Sequence, residues 1–149
     1  MAPSARPARG RNATNRRNTS AWLVAWLGGA AIGVLNGVLR ENTYAPRVGE
    51  ERAHRISSAT AIVALAGWFA FLQRRRPLQT RAQATAVGAA WVAMTIAFEF
   101  GFGRLVAKQS WRELTADYDL RRGRMWPLVL TWVGLGPAVT RAVAGRSVR

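Results

Sequence analysis

The block from Ala82 to Leu105, AQATAVGAAWVAMTIAFEFGFGRL, constrains this chain more than any other stretch. A helix needs about 20 apolar residues to cross a hydrocarbon core of ~30 Å. This block has that length and carries a single carboxylate, Glu99. With the span centred near Met94, Glu99 lies about 7 Å beyond the midplane, at roughly 1.5 Å per residue. A lone carboxylate there costs on the order of 2–3 kcal/mol, so it calls for a partner inside the protein.

Three more apolar blocks accompany it, giving spans at about 21–39, 56–73, 84–104 and 125–143. The expected fold is all-α: an integral membrane bundle of four transmembrane helices occupying 20–145. A short interfacial helix is expected between the third and fourth. The first block is too long and glycine-rich for the core of a signal peptide, and no small-residue cleavage site follows it. Gly49 breaks the chain before a helix-compatible stretch that lengthens the second span. Pro127 falls where a helix start tolerates proline, and Pro137 should kink the fourth span.

Half the residues are hydrophobic, yet the mean hydropathy is −0.02, which requires apolar blocks to alternate with charged ones. The formal net charge is +15, and every Lys/Arg position except Lys108 is arginine. So strong a charge raises nucleic acid as a partner. The arginines flank the apolar spans instead of covering a soluble face, which excludes that reading. There is no cysteine, hence no disulfide framework or thiolate metal site. Residues 1–19 hold arginines and prolines but no acid, and read as a disordered cytoplasmic tail. Residues 146–149 form a short C-terminal tail.

Lys and Arg divide twelve against ten between the N-terminal, 74–81 and C-terminal flanks and the other two loops. The acids sharpen this small margin, because six of the seven lie in the 40–56 and 104–124 loops. Both termini are therefore placed inside. Asn36 then lies about 9 Å outward of the first span's centre, by the helical rise. Thr60 and Glu99 fall at similar heights, and Arg40 is one turn beyond Asn36. Together with His54 these residues form the expected buried polar cluster in the outer half of the bundle. Ala25, Gly29, Gly33 and Gly37 recur every four residues beside it, a stripe suited to close helix packing.

The outer loops carry the remaining polar groups. Glu41 closes the first span, and Glu50 shares a helical face with His54 and Ser57. Ser110-Trp111-Arg112-Glu113 reads as a capping box for a short helix that carries Asp117 and Tyr118 and ends near Gly123. Trp22 and Trp126 are positioned as interface anchors.

Asn36-Gly37-x-x-Arg40-Glu41, Gly49-Glu50-x-x-Ala53-His54, Phe98-Glu99-Phe100-Gly101-Phe102-Gly103, Ser110-Trp111-x-x-Leu114 with Asp117-Tyr118, and Gly123-Arg124 with Trp126 resemble motifs of an uncharacterised family of small four-span bacterial membrane proteins. The resemblance covers about residues 21–140. It implies a four-helix membrane fold in a bacterial inner membrane and brings no activity.

Two function classes follow. The first is a non-enzymatic structural or interaction protein, with membrane lipid and a second copy or another membrane protein as partners. The second is a small proton- or ion-coupled transporter or channel using Glu99 with Arg40 and His54. No phosphate loop, nucleophile–base pair or nucleotide fingerprint is present. One histidine with the scattered carboxylates Glu50 and Glu99 is a weak metal signal, so no metal or other cofactor is expected. Glu99 is expected to pair with Arg40 across the first and third spans.

Overall fold

The computed structural model describes residues 8–106, 108–116, 118–119 and 125–146. The described elements are all helical. Helix α1 spans Ala8–Leu39 and runs through a π-helical segment, Arg40–Tyr44, into the short α2, Ala45–Val48. Helix α3 (Glu50–Arg75), α4 (Arg81–Leu105), the short α5 (Trp111–Ala116) and α6 (Trp126–Arg146) follow. Four of these helices are long and apolar enough to cross a membrane.

Local chemistry sets the boundaries. Gly49 takes φ 83°, a left-handed conformation that separates α2 from α3. The Thr80 hydroxyl accepts from the Gln83 N–H, while the Gln83 side chain accepts from the Gln79 N–H, a reciprocal arrangement that starts α4. Pro127 sits in the first turn of α6, where its missing N–H costs nothing. The helix continues through Pro137, which is buried.

The helices run alternately up and down. Trp68 donates to the Ala25 carbonyl and Asn36 to Ser57, so α1 and α3 are antiparallel. Trp91 donates to the Trp22 carbonyl and Trp26 to Thr95, so α1 and α4 are parallel. The tightest approach joins α4 and α6, where a Cβ on Gly88 would run into the Gly134 carbonyl. A Cβ on Gly136 of α6 would run into the Phe69 ring of α3.

The core is aromatic and sits toward the arginine-bearing end. Trp22, Phe69 and Trp91 are 0%, 0% and 1% exposed, with ring centroids 5.2–6.3 Å apart. Both tryptophans satisfy their indole N–H on main-chain carbonyls, Trp22 on Arg76 and Trp91 on Trp22. Trp22 is thus a core residue and not the interface anchor expected: the α3–α4 connection supplies the carbonyl that lets its polar edge be buried. Leu78 of that connection is also buried and plugs the same end.

The expected disordered tail is helical from Ala8 onward, and residues 1–7 lie outside the described residues. Tertiary hydrogen bonds explain the difference. Asn18 donates to the Pro77 carbonyl, and Gln83 donates to Asn15 and Thr19, which ties residues 15–19 of α1 to the α3–α4 connection and the start of α4. Helix α5 occupies part of the interval expected to be helical but ends at Ala116; Gly123 lies outside the described residues.

The glycines supply a test. Gly88→Ala forces a methyl group against backbone and should cost about 1–3 kcal/mol. Gly33→Ala places its methyl in open space and should be neutral or stabilise by roughly 0.5–1 kcal/mol through helix propensity. Unfolding in mixed micelles measures both. Equal losses would contradict the described α4–α6 contact.

Candidate functional site

The helices that converge at the aromatic core leave a space above it. This cavity, of about 310 Å³, lies between α1, α3, α4 and α6. Its floor is apolar and built from Leu65, Trp91, Val129 and Val133. Its mouth is polar and carries Asn36, Arg40, His54 and Glu99.

The glycine stripe explains why the space is there. Gly29 is covered by Trp91, so the lower half of the stripe does pack closely. A Cβ on Gly33 or Gly37 would meet nothing within 4 Å, and both residues line the cavity. Within one copy, close packing along the stripe therefore stops in its outer half, where Asn36 holds α1 to α3 through hydrogen bonds.

Three hydrogen-bonded groups hold the polar end. In the first, Asn36 donates to the Ser57 carbonyl and hydroxyl, both at 2.8 Å, and accepts from Thr60 at 2.9 Å. This joins α1 to α3 with both ends of the amide satisfied. In the second, Arg40 donates to Glu41 at 2.6 Å and 3.1 Å, and its other terminal nitrogen lies 3.3 Å from His54 Nδ1. A guanidinium only donates, so this contact uses Nδ1 as an acceptor. In the third, Glu99 accepts from the Tyr118 hydroxyl at 2.6 Å and from the Trp126 indole at 3.0 Å.

The expected pair between Arg40 and Glu99 is not formed. The ion pairs among the described residues are Arg40–Glu41 and Arg55–Glu51. Arg40 sits where α1 loosens into the π-helical segment, and the carboxylate beside it in sequence captures it first. Asn36 and Thr60 do come together, as their matched heights suggest, and Arg40 reaches His54. Glu50 is exposed in the first turn of α3 and joins none of these groups. Asp117 lies outside the described residues. No three His, Cys, Asp or Glu side chains among the described residues come together to hold a metal.

Sequence reasoning overlooked Ser57, Tyr118 and Trp126 as partners. Trp126 carried a usable signal: it opens the fourth span at the height where Glu99 nears the end of the third, and antiparallel spans bring such positions together. Tyr118 carried none, because its approach depends on the path of the α4–α6 connection. Glu99 also borders a second space of about 300 Å³, lined by Leu114 and Tyr118.

Comparison with family models, curated proteins and solved structures finds no match to this chain.

The contacts of Glu99 give a direct expectation. In a double-mutant cycle of Glu99→Ala and Tyr118→Phe, the two losses should couple by about 1–3 kcal/mol, as for a partly buried bond to a carboxylate. Strict additivity in a micelle unfolding assay would contradict the bond.

Proposed function

We propose that this chain is an integral membrane protein of a bacterial cytoplasmic membrane, with both termini cytoplasmic. It has no catalytic role and acts as a structural or interaction protein through the polar-mouthed cavity in the outer half of its bundle. The motif resemblance to small four-span bacterial membrane proteins supports this placement.

The observation that carries the membrane reading is the apolar surface. Only 11–33% of each apolar window is buried within the chain. Val24, Leu27, Val63, Leu135 and Val139 point outward. Each such side chain left in water would forgo about 1.5–3 kcal/mol of burial. Polar Asn18, Ser57 and Gln73 are buried in their place. Outward apolar and inward polar is the distribution a hydrocarbon solvent selects. The ends support the orientation. The end tied together by Asn18–Pro77 and Arg141–Gln79 carries arginines and no acid among its described residues, and the other end carries the acids.

The competing reading, an ion- or proton-coupled carrier, draws on Arg40, His54 and Glu99 lining one cavity. It needs an exit at the inner end. Trp22, Phe69 and Trp91 fill that end with no exposed surface between them, which favours a one-ended binding space over a conduit.

Because the chain has no native cysteine, single cysteines report topology cleanly. Arg47→Cys and Arg112→Cys should react with an impermeant thiol reagent from outside intact cells, and Gln79→Cys only after lysis. Labelling of Gln79→Cys in intact cells would overturn the orientation. Proteoliposomes holding the purified protein should show no proton flux above empty vesicles. A flux abolished by Glu99→Gln would transfer the assignment to the carrier.

A further inference from the structure

The arginine-bearing end has a surface feature of its own, where α1 and α3 meet. Trp68 of α3 covers Gly28 of α1, where a Cβ would run into its ring, and its indole donates to the Ala25 carbonyl at 3.1 Å. The same ring stacks on Phe71, with centroids 5.5 Å apart and an interplanar angle of 16°. Phe71 is 46% exposed, so the stack presents a flat apolar wall on the outside of the bundle. The Arg75 guanidinium lies over the Phe71 ring, 5.4 Å from its centroid.

Helical geometry places a second arginine beside it. Arg75 follows Trp68 by seven residues and Arg17 precedes Gly28 by eleven, close to two and three whole turns at about 3.6 residues each. Each therefore stands on the face of its helix that makes the Trp68–Gly28 contact. At about 1.5 Å per residue their backbones differ in height by only about 6 Å, a gap that two long arginine stems span. Both residues are exposed.

The charge around them has one sign. Arg16, Arg74, Arg76 and Arg81 are also exposed at this end, which carries no acid among its described residues. The ion pairs among the described residues, Arg40–Glu41 and Arg55–Glu51, lie at the other end. In a bilayer this end stands in the phosphate layer, and the Trp68–Phe71 wall stands against acyl chains. A guanidinium presents a fork that fits two phosphate oxygens. An ammonium on the same head would meet only like charge here, so the surface suits a phosphate head without one.

We propose that Arg17 and Arg75 hold the phosphate of an anionic phospholipid of the cytoplasmic leaflet, while one of its acyl chains lies along the Trp68–Phe71 stack. The surrounding arginines draw such lipids to this end. The site is separate from the polar-mouthed cavity, which opens at the other end. This rests on the membrane-spanning reading and the orientation above, and makes the chain a collector of anionic lipid on its inner side.

The test uses the full chain reconstituted in vesicles of equal phosphatidylethanolamine and phosphatidylglycerol, extracted in mild detergent and weighed by native mass spectrometry. The wild type should retain phosphatidylglycerol several-fold over phosphatidylethanolamine. Arg17→Gln combined with Arg75→Gln should bring the two lipids to equal retention with the unfolding midpoint unchanged. Arg47→Gln combined with Arg112→Gln removes the same charge from the other end and should keep the preference. Equal retention of both lipids by the wild type, retention of neither, an unchanged preference in the first double variant, or the same loss in both double variants would overturn the proposal. A wild type that lacks the preference and instead retains a short single-stranded RNA would assign these arginines to nucleic acid. Should the first double variant fail to fold, or insert in reverse as read by the Gln79→Cys label, phosphatidylglycerol brominated along its chains provides the second readout. At low mole fraction it should quench the tryptophan fluorescence of the wild type more than equally brominated phosphatidylethanolamine, and equal quenching overturns the proposal. Correct cysteine topology without the lipid preference removes this inference alone, whereas loss of the topology removes the membrane reading with it.

Discussion

The bundle depends on an aromatic knot. Trp22, Phe69 and Trp91 fill one end of the helices, and each indole N–H is spent on a main-chain carbonyl, so neither buried ring leaves its donor unpaired. The knot brings α1, α3 and α4 together, and Gly136 brings α6 onto it by letting Phe69 lie against its backbone. Gly88 and Gly134 tighten the same region. At the other end Phe98 packs on Trp26 and Phe102, and Phe100 on Trp111 and Tyr118. The stripe on α1 continues there as Gly33 and Gly37, where a Cβ would meet nothing within 4 Å. The space between the helices opens where no large side chain stands over these two glycines.

Polar groups at the open end find their partners across the helices. Asn36 spans from α1 to α3, Arg40 is answered by Glu41 and His54, and Glu99 by Tyr118 and Trp126. A hydrocarbon surround would penalise each of these groups if it stood alone, since polar atoms without partners cost far more there than in water. Their arrangement in three local groups, each bridging different elements, adds to the ring contacts of Phe98 and Phe100 at that end.

The four long apolar helices were legible because apolar length is a property of the sequence itself; 84–104 and 125–143 fall inside Arg81–Leu105 and Trp126–Arg146. The Asn36–Thr60 contact was legible for a related reason, since helical rise fixes depth. Partner choice was not. Arg40 and Glu99 looked matched by depth, but a neighbour one residue away outcompetes a partner on another helix, and the π-helical segment that turns Arg40 aside leaves no mark in composition. Trp22 was misplaced because tryptophan serves both at interfaces and in cores, and the carbonyl that decides between them belongs to Arg76, far away in sequence. The helix from Ala8 was hidden likewise, since its arginines and asparagines favour disorder until Pro77 and Gln83 offer tertiary partners.

The central claim is that the space inside this bundle opens at the acid-bearing end and is sealed at the arginine-bearing end. A cysteine placed at Gly33, which lines the cavity, tests it most directly in sealed vesicles of each orientation, using a small impermeant methanethiosulfonate reagent. The account predicts modification only when the acid-bearing end faces the reagent. Modification at a similar rate from the arginine-bearing end would contradict it.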